Sequence, residues 1–145
     1  MRAARVIAIS TLIFLGIGSV VGGVLLILDP SGRMLYMPVS LLQYSPFRSF
    51  LVQGILLLVT NGLLSFAVLA LTVRHRAGYG WWVALQGCVL FGWISVEVIL
   101  LRFVAWPHYV YRETALVLMV VGFVLRCEEK VSQAGNNPPS EADPN

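Results

Sequence analysis

The chain has 145 residues, of which 58% are hydrophobic and only 12% are charged, and its net charge is +3 at pH 7. A soluble domain ordinarily carries about 25% charged residues, so this composition excludes an ordinary soluble domain and favours a membrane protein. The ten basic residues form no long cluster, which argues against nucleic-acid binding. The two cysteines form no CxxC pair, which argues against a zinc site or a redox pair.

The first predicted membrane span covers residues 6–28, which contain no charged side chain. The apolar core of a signal peptide is about 7–15 residues long, so this longer run predicts an uncleaved helix. Small residues repeat along it at helical spacing, including Gly18 and Gly22, and such pairs let helices approach closely in lipid. We expect this face to pack within the chain, with homodimerisation as the alternative.

Residues 33–49 are rich in Leu, Met and aromatic side chains, and Pro38 and Pro46 interrupt them. The segment is too short and too interrupted to cross a membrane. It predicts a short interfacial helix over 38–44, which lies at the level of the lipid headgroups with tyrosine side chains as anchors.

The second predicted span covers residues 50–73 and contains several uncharged polar side chains. Asn61 falls near the middle of this run, and Gln53 falls nearer one end. A polar group at this depth needs a protein partner or water, so hydrogen bonds between helices are its expected role.

The third predicted span covers residues 81–104 and contains a single carboxylate, Glu97. A charged side chain at the centre of a membrane helix costs roughly 2.5–3.5 kcal/mol on insertion scales, so we expect Glu97 to be sheltered, paired or protonated. On a helix, Glu97 shares its face with Trp93 and Gln86. This helix therefore predicts a polar site that faces the interior of a bundle.

The fourth predicted span covers residues 109–125, with Arg112 and Glu113 in its first turn. It can cross the membrane if these two charges extend outward to the headgroups. The polar, proline-rich residues 132–145 predict a disordered tail, which leaves residues 1–131 as the membrane domain.

The basic residues predict the orientation of the chain in the membrane. With the N-terminus inside, the cytoplasmic side holds six basic residues, the other side holds four, and the densest basic loop, at residues 74–76, is cytoplasmic. We therefore expect an all-α membrane protein, an antiparallel bundle of four transmembrane helices with both termini in the cytoplasm. The short interfacial helix then lies in the first external loop.

The candidate polar or ligand-binding site centres on Glu97. Its expected members are Glu97, Trp93, Gln86, Gln53, Asn61, Arg48 and Arg112. An arginine from the external loops, Arg48 or Arg112, is the expected ion-pair partner of Glu97. Two roles stay open: structural pairing that fixes the helix register, and a ligand or proton site that opens outward.

No catalytic, nucleotide-binding or metal-binding motif occurs in the sequence, which therefore predicts no enzyme, no cofactor and no metal ion. His75 and His108 fall in loops on opposite sides of the membrane in the expected topology. They are then too far apart to hold a haem between them.

The stretches MPVSLL at 37–42 and SPF at 45–47, followed by a span and then by Trp93, Glu97 and Arg102, resemble a group of small uncharacterised bacterial membrane proteins with four spans. That resemblance implies a bacterial membrane protein and no particular activity. The overall layout is also similar to DoxX-like proteins, compact four-helix membrane subunits sometimes linked to quinone-dependent redox complexes. This second likeness concerns architecture only and implies no functional residue.

The leading prediction is a small non-catalytic polytopic membrane protein, either an accessory subunit or a lipid-binding bundle with a polar site around Glu97. A small proton-coupled transporter that uses Glu97 and a DoxX-like quinone-linked oxidoreductase subunit are the alternatives. The expected location is the cell membrane, and the expected partners are its lipids together with other membrane subunits or a second copy of the chain.

Overall fold

The computed structural model describes residues 2–136, and within that range all regular structure is helical. The long helices are α1 (Arg2–Leu28), α2 (Leu51–Val73), α3 (Tyr79–Leu101) and α4 (Trp106–Asn136). Two short 3₁₀ helices, Arg33–Leu35 and Val39–Tyr44, lie between α1 and α2. The predicted all-helical class is confirmed, and the second 3₁₀ helix occupies the place of the short helix expected over 38–44.

Helices α1, α2 and α3 are each long and apolar enough to cross a membrane. Their most apolar 18-residue windows have mean hydropathies of 2.5, 2.2 and 1.9, and about 20 apolar residues suffice to span the hydrocarbon core. The chain is therefore a small polytopic membrane protein in contact with a lipid bilayer. Helix α4 is not among these three candidate spans, because charged residues flank its apolar stretch on both sides, and the predicted span over 109–125 stays a prediction.

Helix α4 is longer at both ends than the sequence predicts. It begins at Trp106 and tolerates Pro107 in its first turn, where the missing N–H has no partner to lose. It continues to Asn136, so residues 132–136, where the disordered tail was predicted to begin, are helical. Residues 137–145, the rest of that predicted tail, lie outside the described residues.

The polar end of α4 has a local reason to stay helical. Glutamate and lysine are good helix formers, and this end carries Glu128, Glu129 and Lys130. Nη1 of Arg126 also lies 3.4 Å from Oε2 of Glu129, one turn along the helix. Composition predicts disorder here because the residues are polar, but the same residues are compatible with a solvated helix.

The long helices contact one another in a ring, α1 with α2, α2 with α3, α3 with α4, and α4 with α1. In two of these contacts, α1 with α2 and α3 with α4, a glycine lets the backbones of the two helices come close together. An added Cβ on Gly23 of α1 would lie 2.8 Å from the carbonyl oxygen of Gly54 on α2. An added Cβ on Gly122 of α4 would overlap the backbone nitrogen of Ala84 on α3. Small residues permit this packing in lipid, where hydrophobicity does not drive helices together.

The loop after α1 is organised by the carboxylate of Asp29. This group accepts hydrogen bonds from the Ser31 hydroxyl, from the Ser31 N–H at 3.2 Å and from the Met34 N–H at 3.2 Å. The hydrogen bond from the Ser31 hydroxyl is the main reason that the pKa of Asp29 lies below its ordinary value. The folded loop thus favours the carboxylate, so this stabilisation is present above the ordinary pKa of about 3.9 and is lost as the pH falls through the lower, folded value.

Candidate functional site

A cavity of about 910 Å³ lies at the end of the molecule where the α1–α2 and α3–α4 loops meet. Its wall comes from α1, α3, the first turns of α4, the two loops and Leu57 of α2. Aromatic side chains form much of it, namely Phe14, Tyr36, Trp93, Phe103, Trp106 and Tyr111. Small-molecule sites are mostly apolar clefts of about 300–1,000 Å³, so the size and lining are typical of a binding site.

Glu97 and His108 face each other across this cavity. Oε2 of Glu97 lies 3.8 Å from Nε2 of His108, and the two side chains are only 19% and 9% exposed. The loop at residues 102–105 brings them together, since α3 ends where Arg102 adopts a left-handed conformation with φ 48° and α4 begins four residues later. This separation is longer than a hydrogen bond, so the two groups interact only electrostatically. Each therefore keeps its capacity to hydrogen-bond to another molecule.

The hydrogen bonds of His108 assign its tautomer. Nδ1 accepts from the backbone N–H of Ala105 at 2.9 Å. The Ala105 carbonyl oxygen lies 3.3 Å from the same nitrogen, but a nitrogen that accepts from an N–H carries no hydrogen with which to donate. The ring is therefore neutral, and its proton is on Nε2, the atom that faces Glu97.

Besides Glu97 and His108, four side chains that carry polar groups line the cavity: Ser19, Tyr36, Trp93 and Tyr111. The indole Nε1 of Trp93 is buried and has no hydrogen-bond partner within residues 2–136, which is unusual for a buried donor. The hydroxyl of Tyr111 lies against α1, 2.5 Å from where a Cβ on Gly18 would be. In the part of the chain that is described, no three His, Cys, Asp or Glu side chains are grouped as a metal site requires.

The pair Gly18 and Gly22, predicted to pack α1 closely against another helix, lines this cavity. An added Cβ on Gly22 would meet only the Leu57 side chain, at 3.4 Å. The close backbone contact of α1 is one position further along, at Gly23. The spacing of small residues in the sequence shows which residues share a face of the helix. Which of those residues contacts the backbone of another helix depends on how that helix packs.

Two of the three amides predicted for the site, Gln86 and Asn61, belong to a second polar cluster, between α2 and α3. Gln86 is fully buried and donates from Nε2 to the carbonyl oxygen of Thr60 at 3.4 Å. Asn61 is also fully buried and donates from Nδ2 to the Thr60 hydroxyl at 3.1 Å. Gln53 is buried elsewhere on α2, with neither amide atom bonded to any described residue. None of these three glutamine and asparagine side chains lines the cavity.

The distance along α3 explains why Gln86 does not join Glu97. The two residues share a face, but a rise of 1.5 Å per residue puts them roughly 16 Å apart along the axis. Gln86 instead meets a π-helical segment of α2, Leu57–Leu63, which contains both Thr60 and Asn61. Sequence reasoning missed this segment because widened helical turns have no simple residue signature.

The arginines predicted to pair with Glu97 lie outside the cavity. Nη2 of Arg112 is 3.2 Å from Oε1 of Glu113, and its guanidinium lies 5.4 Å from the ring centroid of Tyr109. Arg48 is exposed and does not line the cavity. At the surface both cations keep their hydration, which an apolar cavity would remove at considerable cost. The structure therefore replaces the expected arginine partner with His108.

No protein-family model matches the chain, and neither a curated protein nor a solved structure matches it. The resemblance to small four-span bacterial membrane proteins, and the likeness in layout to DoxX-like proteins, stay predictions.

Proposed function

We propose that this protein is a small non-catalytic membrane protein that binds an amphipathic molecule in the cavity around Glu97. The observation that carries the proposal is the Glu97–His108 pair, whose facing atoms are 3.8 Å apart inside a largely apolar cavity of about 910 Å³. Apolar walls with a few convergent polar groups are typical of ligand sites, because the walls supply affinity and the polar groups fix orientation.

The alternative, that Glu97 only fixes the helix register, fits the geometry less well. A structural pair in an apolar region gains most when its polar atoms bond directly to each other. Here Oε2 of Glu97 and Nε2 of His108 lie further apart than hydrogen-bonded atoms do. Both side chains line the cavity, so their polar atoms border the same space, which supports recognition of a ligand.

We further propose that α4 crosses the membrane as the fourth helix of an antiparallel bundle, with both termini in the cytoplasm. The support is the backbone contact of Gly122 with α3, the contacts of α4 with α1, and the uncharged stretch between Glu113 and Arg126. The distribution of basic residues favours this orientation. The cavity then lies towards the external side, beneath the α1–α2 and α3–α4 loops.

Labelling with a membrane-impermeant maleimide tests this topology. Single cysteines replace Arg33, Ala77, Val104 and Ala134 in turn, in a background where Cys88 and Cys127 are changed to alanine. We expect labelling in intact cells at 33 and 104, and labelling at 77 and 134 only after the membrane is permeabilised. If positions 104 and 134 react from the same side, α4 does not cross, and a fully inverted pattern reverses the orientation.

Filling the cavity from α1 tests ligand binding. Gly22→Leu is expected to fold, because its Cβ meets only the Leu57 side chain at 3.4 Å, but its side chain occupies the cavity. We expect wild-type protein in nanodiscs to bind at least one of three probes, dodecyltrimethylammonium, dodecanol and dodecyl sulfate, saturably at one per chain by native mass spectrometry. Gly22→Leu should weaken that binding at least tenfold.

Gly92→Leu is the matched control for this substitution. Gly92 has nothing within 4 Å of an added Cβ and does not line the cavity. Its binding should equal that of the wild type. Saturable binding that is unchanged in a folded Gly22→Leu variant would place the probe elsewhere and contradict the proposal.

A further inference from the structure

We propose that the molecule bound in this cavity is an amphipathic cation, an organic amine or quaternary ammonium with an apolar body. This inference rests on the proposed function and names the ligand class of the same site. It is carried by two features, the charge of the cavity and the aromatic character of its wall.

The charge of the cavity comes from one side chain. Within residues 2–136, its lining contains the acid Glu97 and no arginine or lysine. His108 contributes no charge, because Nδ1 accepts the hydrogen bond from the Ala105 N–H. An ionised Glu97 therefore has no counter-charge among the described residues that line the cavity, and an isolated charge in apolar surroundings is costly unless it is paired. A cationic headgroup supplies that pairing.

The aromatic wall suits the same headgroup. Rings enter the lining from α1, α3 and α4, and those of Phe14 and Tyr111 stack with centroids 6.1 Å apart. The face of an aromatic ring attracts a cation, and an alkyl-substituted ammonium also buries apolar surface against it.

The other two charge classes fit the cavity less well. An anion meets the carboxylate of Glu97, and no arginine or lysine in the described part of the chain lines the cavity to offset the repulsion. A neutral ligand fills the apolar space but leaves the carboxylate without a counter-charge. The expected order of affinity is cation, then neutral molecule, then anion.

The test compares the three dodecyl probes on the wild-type protein in nanodiscs of zwitterionic lipid, with empty nanodiscs subtracted. We expect dodecyltrimethylammonium to bind saturably at one per chain and at least tenfold more tightly than dodecanol. Dodecyl sulfate should not displace it. This comparison needs no variant, so it holds even if a substitution at Glu97 impairs folding.

Neutralising the carboxylate then tests its role. Glu97→Gln should lower the affinity for dodecyltrimethylammonium at least tenfold and leave dodecanol binding unchanged. Glu113→Gln is the matched control, because it removes an equal charge near the same end of the protein but outside this cavity. Equal losses in the two variants would show a general surface-charge effect and overturn the inference.

The outcomes separate this inference from the proposed function. If dodecanol or dodecyl sulfate binds most tightly and Gly22→Leu abolishes that binding, the cavity is a ligand site but the cation assignment is wrong. If no probe binds saturably, or if Gly22→Leu binds the cation as the wild type does, both proposals fail.

Discussion

Replacing Gly87 by leucine is expected to separate α3 from α4, whereas the same change at Gly92 on the same helix should be tolerated. An added Cβ on Gly87 would lie 2.8 Å from the carbonyl oxygen of Ala115 and 2.8 Å from the backbone nitrogen of Met119. These atoms belong to the facing backbone and cannot rotate away. An added Cβ on Gly92 meets nothing within 4 Å.

The effect of Gly87→Leu extends beyond one contact because the two helices pack closely along their length. Gly80 lies against the backbone at Arg126, and Gly122 lies against Ala84. If the two helices move apart to make room for the leucine side chain, the distances at all of these contacts increase. Overpacking a core usually lowers the free energy of unfolding by about 1–3 kcal/mol. Because the clash here is with backbone atoms, we expect a loss at or above the upper end of that range. In lipid, the lost van der Waals contact is not offset by a hydrophobic gain.

The measurement is thermal unfolding of both variants and the wild type in one detergent, with the helix content followed by far-ultraviolet circular dichroism. Gly87→Leu should melt well below the wild type while keeping most of its helical signal, since each helix is stable by itself in an apolar medium. The melting temperature of Gly87→Ala should lie between those of the wild type and Gly87→Leu. A wild-type melting curve for Gly87→Leu would show that this face is loosely packed and contradict the antiparallel contact of α3 with α4.

The membrane segments could be predicted from the sequence because hydropathy is a local property. The second and third predicted spans, 50–73 and 81–104, differ from Leu51–Val73 and Tyr79–Leu101 by at most three residues at either end. The third span ends early because Arg102 leaves the helix in a left-handed conformation. Hydropathy carries no information on that turn.

The partner of Glu97 could not be predicted in the same way, because it depends on the path of the loop at 102–105. Charge alone favoured an arginine, but Arg112 finds Glu113 and Tyr109 at the surface. His108 reaches the cavity because α4 begins at Trp106, earlier than predicted, which places the histidine on its first turn. The cavity itself arises where side chains from four helices and two loops leave space unfilled, and no single segment encodes it.

The second large effect is expected at His108, where leucine should destabilise the protein more than asparagine does. Leucine removes both the Nδ1 acceptor of the Ala105 N–H, bonded at 2.9 Å, and the Nε2 atom that faces Glu97. Each polar group left unpaired when buried costs about 1–3 kcal/mol, and more if it is charged. Asparagine can place its Oδ1 near the position of Nδ1 and keep the bond to Ala105, so it loses only the contact with Glu97.

A double-mutant cycle isolates the contact between the two side chains. In a Glu97→Leu background the carboxylate is absent, so His108→Leu should cost less than it does in the wild type, by a coupling of about 0.5–3 kcal/mol. The four proteins are compared by chemical unfolding in one detergent. If His108→Leu costs the same in both backgrounds, the two residues do not interact, and the 3.8 Å approach of their side chains has no energetic consequence. If the coupling appears but His108→Asn is as damaging as His108→Leu, the bond to Ala105 contributes little, and the neutral tautomer assigned through it loses its support.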